Sequence, residues 1–214
     1  MQQPANAAPV VYVVDDDADV REGMQLLLES VGLRSEVFGS PREFLQRKAS
    51  DTVSCLLLDV RMPGMSGLDF QTELANAHAD IPIVFMTGHG DIPMTVKAMK
   101  AGAVEFLTKP VREQDLLDAI NIALERDRTR RETSDSLRHL KSRFESLSDR
   151  ERQVLALVIA GLLNKQIAGE MKLSEVTVKV HRHNLMKKLG AKSVPGLVRM
   201  ADILGVAPRN GGAA

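Results

Sequence analysis

Hydrophobic positions in residues 1–124 follow two rhythms that take turns. One is a short unbroken run. Val10 to Val14 is such a run, and Ser54 to Leu58 is uncharged and leads straight into Asp59, ahead of a Pro63-Gly64 turn. Short apolar runs bounded by turn residues read as strands buried on both faces of a parallel sheet. Glu36 to Phe38, Ile81 to Met86 and Ala103 to Leu107 supply three more strands. The other rhythm returns every three or four residues and predicts helices. Val20, Met24, Leu27 and Val31 mark the first, which stops at Gly32. Ser40-Pro41-Arg42-Glu43 opens the second with a capping box and a proline at the first helical position. Ser66 caps a third through about Ala77, Asp91 caps a fourth ending near Gly102, and Leu116, Leu117, Ile120 and Leu124 line a fifth. Five β-α units in succession predict an α/β doubly wound, five-stranded parallel sheet.

Beyond residue 124 the strand rhythm disappears. Arg126 to Glu132 is charged all round and predicts a solvated extension of the fifth helix. Leu137, Leu140, Phe144 and Leu147 then form a short stripe, which reads as a packing face against the next domain or as a brief dimer seam. Ser148-Asp149-Arg150-Glu151 is a capping box for a helix with Val154, Leu155, Val158 and Ile159 inward, ended by Gly161. Asn164 is expected to cap a short helix carrying Ile167, Ala168 and Met171. Ser174 caps another, with Val176, Val180, Leu185 and Leu189 expected inside, and Ser193 caps the last, through about Leu204. Four short helices, two of them joined by a tight turn, predict an all-α helix-turn-helix module. The division expected is 9–124 for the α/β domain, 125–144 for a helical linker and 145–207 for the helix-turn-helix domain.

Charge sharpens that division. The whole chain is neutral, yet residues 1–124 carry 18 Asp+Glu against 10 Lys+Arg, a balance of −8, and residues 125–214 carry the reverse, +8. An acidic half suits cation chemistry, and a basic half suits a polyanion. Cys55 is the only cysteine, so no intrachain disulfide can form, which points to a reducing, cytoplasmic setting. Its place inside a strand makes it a core residue. Met1 to Pro9 lacks the basic and apolar regions of a signal peptide, Gly211 to Ala214 reads as a frayed tail, and no 18-residue apolar run exists to span a membrane.

Asp59 alone reads equally well as a turn residue or as an active group. Parallel strands deliver their carboxyl ends to one edge, where such sheets bind ligands. That edge gathers Asp15 and Asp16, Asp59, Thr87 and the Thr108-Lys109 pair. Clustered carboxylates need a cation, and oxygen-only ligands favour Mg²⁺. A carboxylate beside such an ion suits attack on a phosphoryl group, with Lys109 and Thr87 stabilising its oxygens.

Val13-Val14-Asp15-Asp16-Asp17, Leu58-Asp59-Val60-Arg61-Met62-Pro63-Gly64, Met86-Thr87-Gly88-His89-Gly90 and Phe106-Leu107-Thr108-Lys109-Pro110 resemble the receiver domain of two-component response regulators, a flavodoxin- or CheY-like fold. The resemblance implies that Asp59 accepts a phosphoryl group from a sensor histidine kinase. It implies Mg²⁺ on Asp16, Asp59 and the backbone carbonyl of Arg61, with Asp15 acting through water. It also places Thr87 and Phe106 as the switch pair and Lys109 as the lysine preceding a proline. Many receivers carry Tyr where Phe106 stands, so a hydroxyl contact is lost. His89, close to the crevice, reads as a loop histidine with no special role, ahead of the alternative that it affects autodephosphorylation.

Leu147 to Leu155, Asn164-Lys165-Gln166-Ile167-Ala168 and Thr177-Val178-Lys179-Val180-His181 closely resemble the LuxR-type output domain. By that resemblance Lys179, Val180 and His183 read base edges, Lys165 and Thr177 contact phosphates, and Lys187 extends the cationic face that also holds Arg182 and Lys188. The last helix would mediate dimerisation, although Val194-Pro195-Gly196 departs from its more usual start. The order of parts resembles the FixJ-type subgroup.

The function expected is therefore transcription regulation switched by phosphorylation, with a kinase, promoter DNA, a second copy of the chain and RNA polymerase as partners. The chain is not expected to be an enzyme beyond its own phosphoryl transfer and autodephosphorylation. A haloacid-dehalogenase-like phosphatase would need a second Asp two residues after the nucleophile, where Arg61 stands. The alternative is a regulator independent of phosphorylation, whose receiver only dimerises or docks.

Overall fold

The unbroken apolar runs become β1 (Val10–Val14), β2 (Arg34–Phe38), β3 (Ser54–Asp59), β4 (Ile83–Thr87) and β5 (Glu105–Thr108) in the computed structural model, which describes residues 8–48, 50–88 and 91–208. Met1 to Ala7, His89 and the tail from Gly211 to Ala214 lie outside the described residues. Every strand pair is parallel, and the order is β2-β1-β3-β4-β5. Between the strands run α1 (Ala18–Ser30), α2 (Pro41–Gln46), α3 (Gly67–Asn76) and α4 (Ile92–Lys100). After β5 come α5 (Glu113–Glu145), α6 (Asp149–Ile159), α7 (Asn164–Met171), α8 (Glu175–Leu189) and α9 (Val194–Leu204). The chain divides into two compact units between Glu132 and Thr133.

In the first unit β1 and β3 are buried along their whole length, as unbroken apolar runs require. Alternate residues supply two cores, one from Tyr12, Leu56, Phe85, Phe44 and Phe70, the other from Val11, Leu57, Leu28, Leu116 and Ile120. Cys55 belongs to the second core; burial, and then the charge of Asp127, push its thiol up to about 12. Strand β4 starts at Ile83 rather than Ile81, because Pro82 has no N–H for the ladder. Strand β5 starts at Glu105 rather than Ala103, whose N–H closes α4 on Ala98 O at 3.1 Å. In α1 the buried residue is Leu28, whereas Val31 is the exposed C-cap.

Helix α5 runs on through residues 126–132 as a largely exposed extension, as expected, with one exception at Asp127. Asp127 is fully buried, and its Oδ2 accepts the N–H of Ser54, the first residue of β3, at 2.9 Å. Arg130 Nη2 donates to Asp127 Oδ1 at 2.6 Å, and Arg131 Nε to Oδ2 at 2.6 Å. A strand-opening N–H without a ladder partner is a costly orphan, and the carboxylate satisfies it.

In the second unit Leu147, Leu155, Val158, Ile167, Val178, Leu185, Leu189 and Leu197 make one core, with Phe144 packed against it. Two expectations fail here. Leu163, not Asn164, is the N-cap of α7; Gln166 Oε1 accepts the Leu163 N–H at 2.8 Å, and Asn164 Oδ1 instead accepts from Arg182 at 2.8 Å. In α8 the buried valine is Val178, while Val176 and Val180 are exposed. Two residues along a helix is about 200° of rotation, so a core built on Val178, Leu185 and Leu189 turns both neighbours outward.

Candidate functional site

Strand ends build the first site. Asp15 follows β1, Asp59 ends β3 and Thr87 ends β4, and all are buried, at 1%, 5% and 0% exposure. Lys109, just after β5, is held by its own N–H on Thr87 O at 2.7 Å. Its Nζ reaches Asp15 Oδ2 at 2.5 Å and Asp59 Oδ1 at 3.0 Å. The other Asp59 oxygen, Oδ2, accepts the Arg61 N–H at 2.7 Å. The three aspartates after β1 have separate roles. Asp15 turns inward, Asp16 is exposed outside the hydrogen-bonded trio, and Asp17 caps α1 by accepting from Asp19 and Val20.

Burial raises the Asp59 carboxyl above its ordinary value, Asp15's charge adds to that, and Lys109 and the Arg61 N–H only partly oppose it. Burial alone would lower Lys109, but its bonds to Asp15 and Asp59 outweigh burial and hold the ammonium above its usual value. The pocket is thus a protonated lysine shared by two carboxylates, a water-poor place where charge interacts strongly.

Receiver domains typically bind Mg²⁺ at this acidic pocket. Among the described residues no three acidic, histidine or cysteine side chains gather closely enough to hold an ion by themselves. The donors nevertheless fit Mg²⁺, which keeps several waters and needs only one or two carboxylates. Asp59 provides one such carboxylate, and Asp15 lies close enough to share an ammonium with it and so to meet an ion's water shell.

Phe106 is half-buried on β5, its ring 6.0 Å from that of Phe85 and tilted by 41°. Gly67 escaped the sequence reading. A Cβ there would stand 2.3 Å from Asp59 O, so α3 can begin this close to the strand end only on glycine. Its N–H also donates to Val60 O at 2.9 Å. A glycine directly after a helix cap was the available signal, since the first turn ordinarily gains from other residues.

The second site lies on α7 and α8. Lys172, at φ 54°, closes α7 in the left-handed region, and Ser174 Oγ then caps α8 by accepting the Thr177 N–H at 3.1 Å. Lys165, Lys179, Val180, His183 and Lys187 are exposed, and Thr177 is half-buried with its hydroxyl 2.8 Å from that of Ser174. Glu175 Oε1 lies 3.3 Å from Lys179 Nζ, an exposed pair one turn apart. Two cations of the expected face work internally instead. Arg182 holds Asn164, and Lys188 Nζ donates to Glu151 Oε2 at 2.6 Å and to Ser146 O at 3.1 Å. Burial pushes Glu151 up, but Lys188 and the Ser148 N–H outweigh it and hold the carboxyl below the usual range.

Residues 11–121 match the family described as response regulator receiver domain, and residues 145–201 match bacterial regulatory proteins of the luxR family. Nodulation protein W of Bradyrhizobium diazoefficiens is 55% identical over 202 residues, 94% of this chain and 89% of its own length. The transcriptional regulatory protein FixJ of Rhizobium meliloti is 41% identical over 198 residues, 92% of this chain and 97% of its own. Among solved structures, the response regulator StyR superposes with a TM-score of 0.84 at 53% identity, covering 92% of this chain and 99% of that one. No helix among the described residues is long and apolar enough to cross a membrane. A receiver and a LuxR-type domain together imply a sensor kinase as partner and DNA as target, in a transcription regulator rather than a classical enzyme. The chain belongs to the two-component response regulators, in the FixJ-like group that controls transcription through phosphorylation of a receiver joined to a LuxR-type DNA-binding domain.

Proposed function

We propose that Asp59 is the phosphoacceptor. The observation that carries this is a buried carboxylate at a strand end, 3.0 Å from the ammonium of Lys109. A carboxylate oxygen of Asp59 attacks phosphorus, the P–N bond of a kinase phosphohistidine breaks, and the imidazole leaves. Lys109 and the Thr87 hydroxyl take the phosphoryl oxygens, and attack by water later returns the free carboxylate. Asp16, Asp59 and the Arg61 carbonyl would hold Mg²⁺, with Asp15 acting through water. When bound, the ion supplies neutralisation of phosphoryl charge.

In this reading Thr87 draws inward on the phosphoryl group and Phe106 rotates behind it, shifting a pre-existing equilibrium. The face from Asp91 to Leu124 then forms a homodimer; exposed Ile92, Val96, Met99 and Ile122 support that. Lys179, Val180 and His183 read bases and Lys165, Thr177 and Lys187 meet the backbone of promoter DNA. Helix α9, with Ile203 exposed, pairs the output domains, and RNA polymerase is the downstream partner. The working division is a receiver over 9–124, a connector over 125–144 fastened at its start by Asp127, and an output domain over 145–207. Labelling with acetyl phosphate and Mg²⁺ tests the acceptor. Wild type should take up phosphoryl and Asp59→Asn should take up none; full labelling of that variant would overturn the assignment.

A further inference from the structure

Val176 and Val180 are 69% and 53% exposed on α8, and neither joins the core that Val178, Leu185 and Leu189 bury behind them. Four residues apart, they lie about 40° from each other around the helix and share one face. Helix stability does not explain them, since a β-branched residue is a poorer helix former than alanine. Their neighbours on the exposed side are Lys179, His183 and Lys187, with Glu175 beside Val176 and paired to Lys179, so the face is basic on balance. A second copy of the chain would bring like charges together around such a pair. A polyanion that also carries apolar groups is the complementary occupant. In the DNA major groove that apolar group is the C5-methyl of thymine.

We propose that Val176 joins Val180 in an apolar reading edge that recognises thymine methyl groups in the major groove. This rests on α8 being the groove helix, and it adds a residue and a base to that reading. Val176 is the second residue of α8, where recognition helices meet base edges. The two Cβ atoms stand about 5–6 Å apart, the span of one to two base-pair steps of 3.4 Å. The edge would therefore read thymines at neighbouring positions, with Lys179 between them in sequence.

The test uses the full chain and duplexes selected by the wild type from a randomised pool. Each thymine in the selected half-site is replaced in turn by deoxyuridine, which lacks only the methyl. For the wild type, one replacement should weaken binding about fourfold, the worth of one buried methyl. Val176→Ala should bind the thymine duplex about fourfold more weakly and be indifferent to that same replacement. Val180→Ala should be indifferent at a position one or two steps away. The thermal midpoint of Val176→Ala should equal or exceed the wild type's; a lower one would assign the valine to the fold and overturn the proposal. Equal binding of every duplex by Val176→Ala and wild type would overturn the proposal. So would equal loss on thymine and uracil duplexes, or a changed oligomeric state of the free variant. Lys179→Ala separates the foundations: if it and Val176→Ala both bind all duplexes like wild type, α8 does not read DNA, whereas loss in Lys179→Ala alone keeps α8 as the groove helix and overturns only its apolar edge.

Discussion

Lys109 shows how a single residue sets the chemistry of the receiver pocket. Its ammonium stands between Asp15 and Asp59 and offsets part of the repulsion between two buried like charges. These three were legible in the sequence because each lies at the end of a strand or just beyond it, and parallel strands send their ends to one edge. Gly67 was not, because its role is the absence of a side chain against the Asp59 carbonyl, and an absence has no periodicity. Gly67→Ala should force backbone movement at Asp59, costing about 1–3 kcal/mol as overpacking does. The measurement is a urea melt paired with phosphorylation rate by acetyl phosphate, and both should fall. A variant matching wild type in both would mean the loop yields freely. The misplaced valines of α8 teach the complementary lesson. Val176, Val178 and Val180 are equally apolar, and hydropathy alone cannot choose between opposite sides of a helix when both carry valine.

At the scale of elements, α8 is placed by polar fasteners as well as by its core. Glu151 closes the capping box of α6 through the Ser148 N–H and simultaneously receives Lys188 from α8. The capping box was visible in the sequence; the lysine was not, since it lies 37 residues away and looked like part of a DNA-facing cationic surface. Because the folded state holds Glu151 below the ordinary glutamate value of 4.5, its contribution is complete above that pH. It is lost as pH falls through the lower folded value. The stability gap between wild type and Glu151→Gln should thus be full at neutral pH and close as pH drops below about 4.5. Urea melts of both proteins from neutral to acid pH report this, and a gap that never changes would count against the pair.

Across the whole molecule, neutrality conceals two opposed halves, one carrying the phosphoryl chemistry and one the nucleic-acid surface. Charge segregation and the change of hydrophobic rhythm made the two-part organisation legible. The helical extension of α5 was legible too; the burial of Asp127 was not, because a charged helix has the same pattern whether or not one of its carboxylates is buried. The structure makes α5 a single helix across the boundary between the compact units, with Asp127 on the receiver side.

That carboxylate governs how this protein can be taken apart and recombined. The receiver match ends at residue 121, and a splice there or after Leu124 would discard Asp127 and leave the opening N–H of β3 without its acceptor. A splice after Glu132 would carry the carboxylate with its strand. Receiver fragments 1–124 and 1–132 should differ by about 1–3 kcal/mol in favour of the longer, with Asp127→Ala in 1–132 removing most of the difference. Indistinguishable melts would show that the buried acceptor is dispensable. A transplanted receiver that keeps residues 125–132 therefore brings its own joint, and its new output domain need supply none.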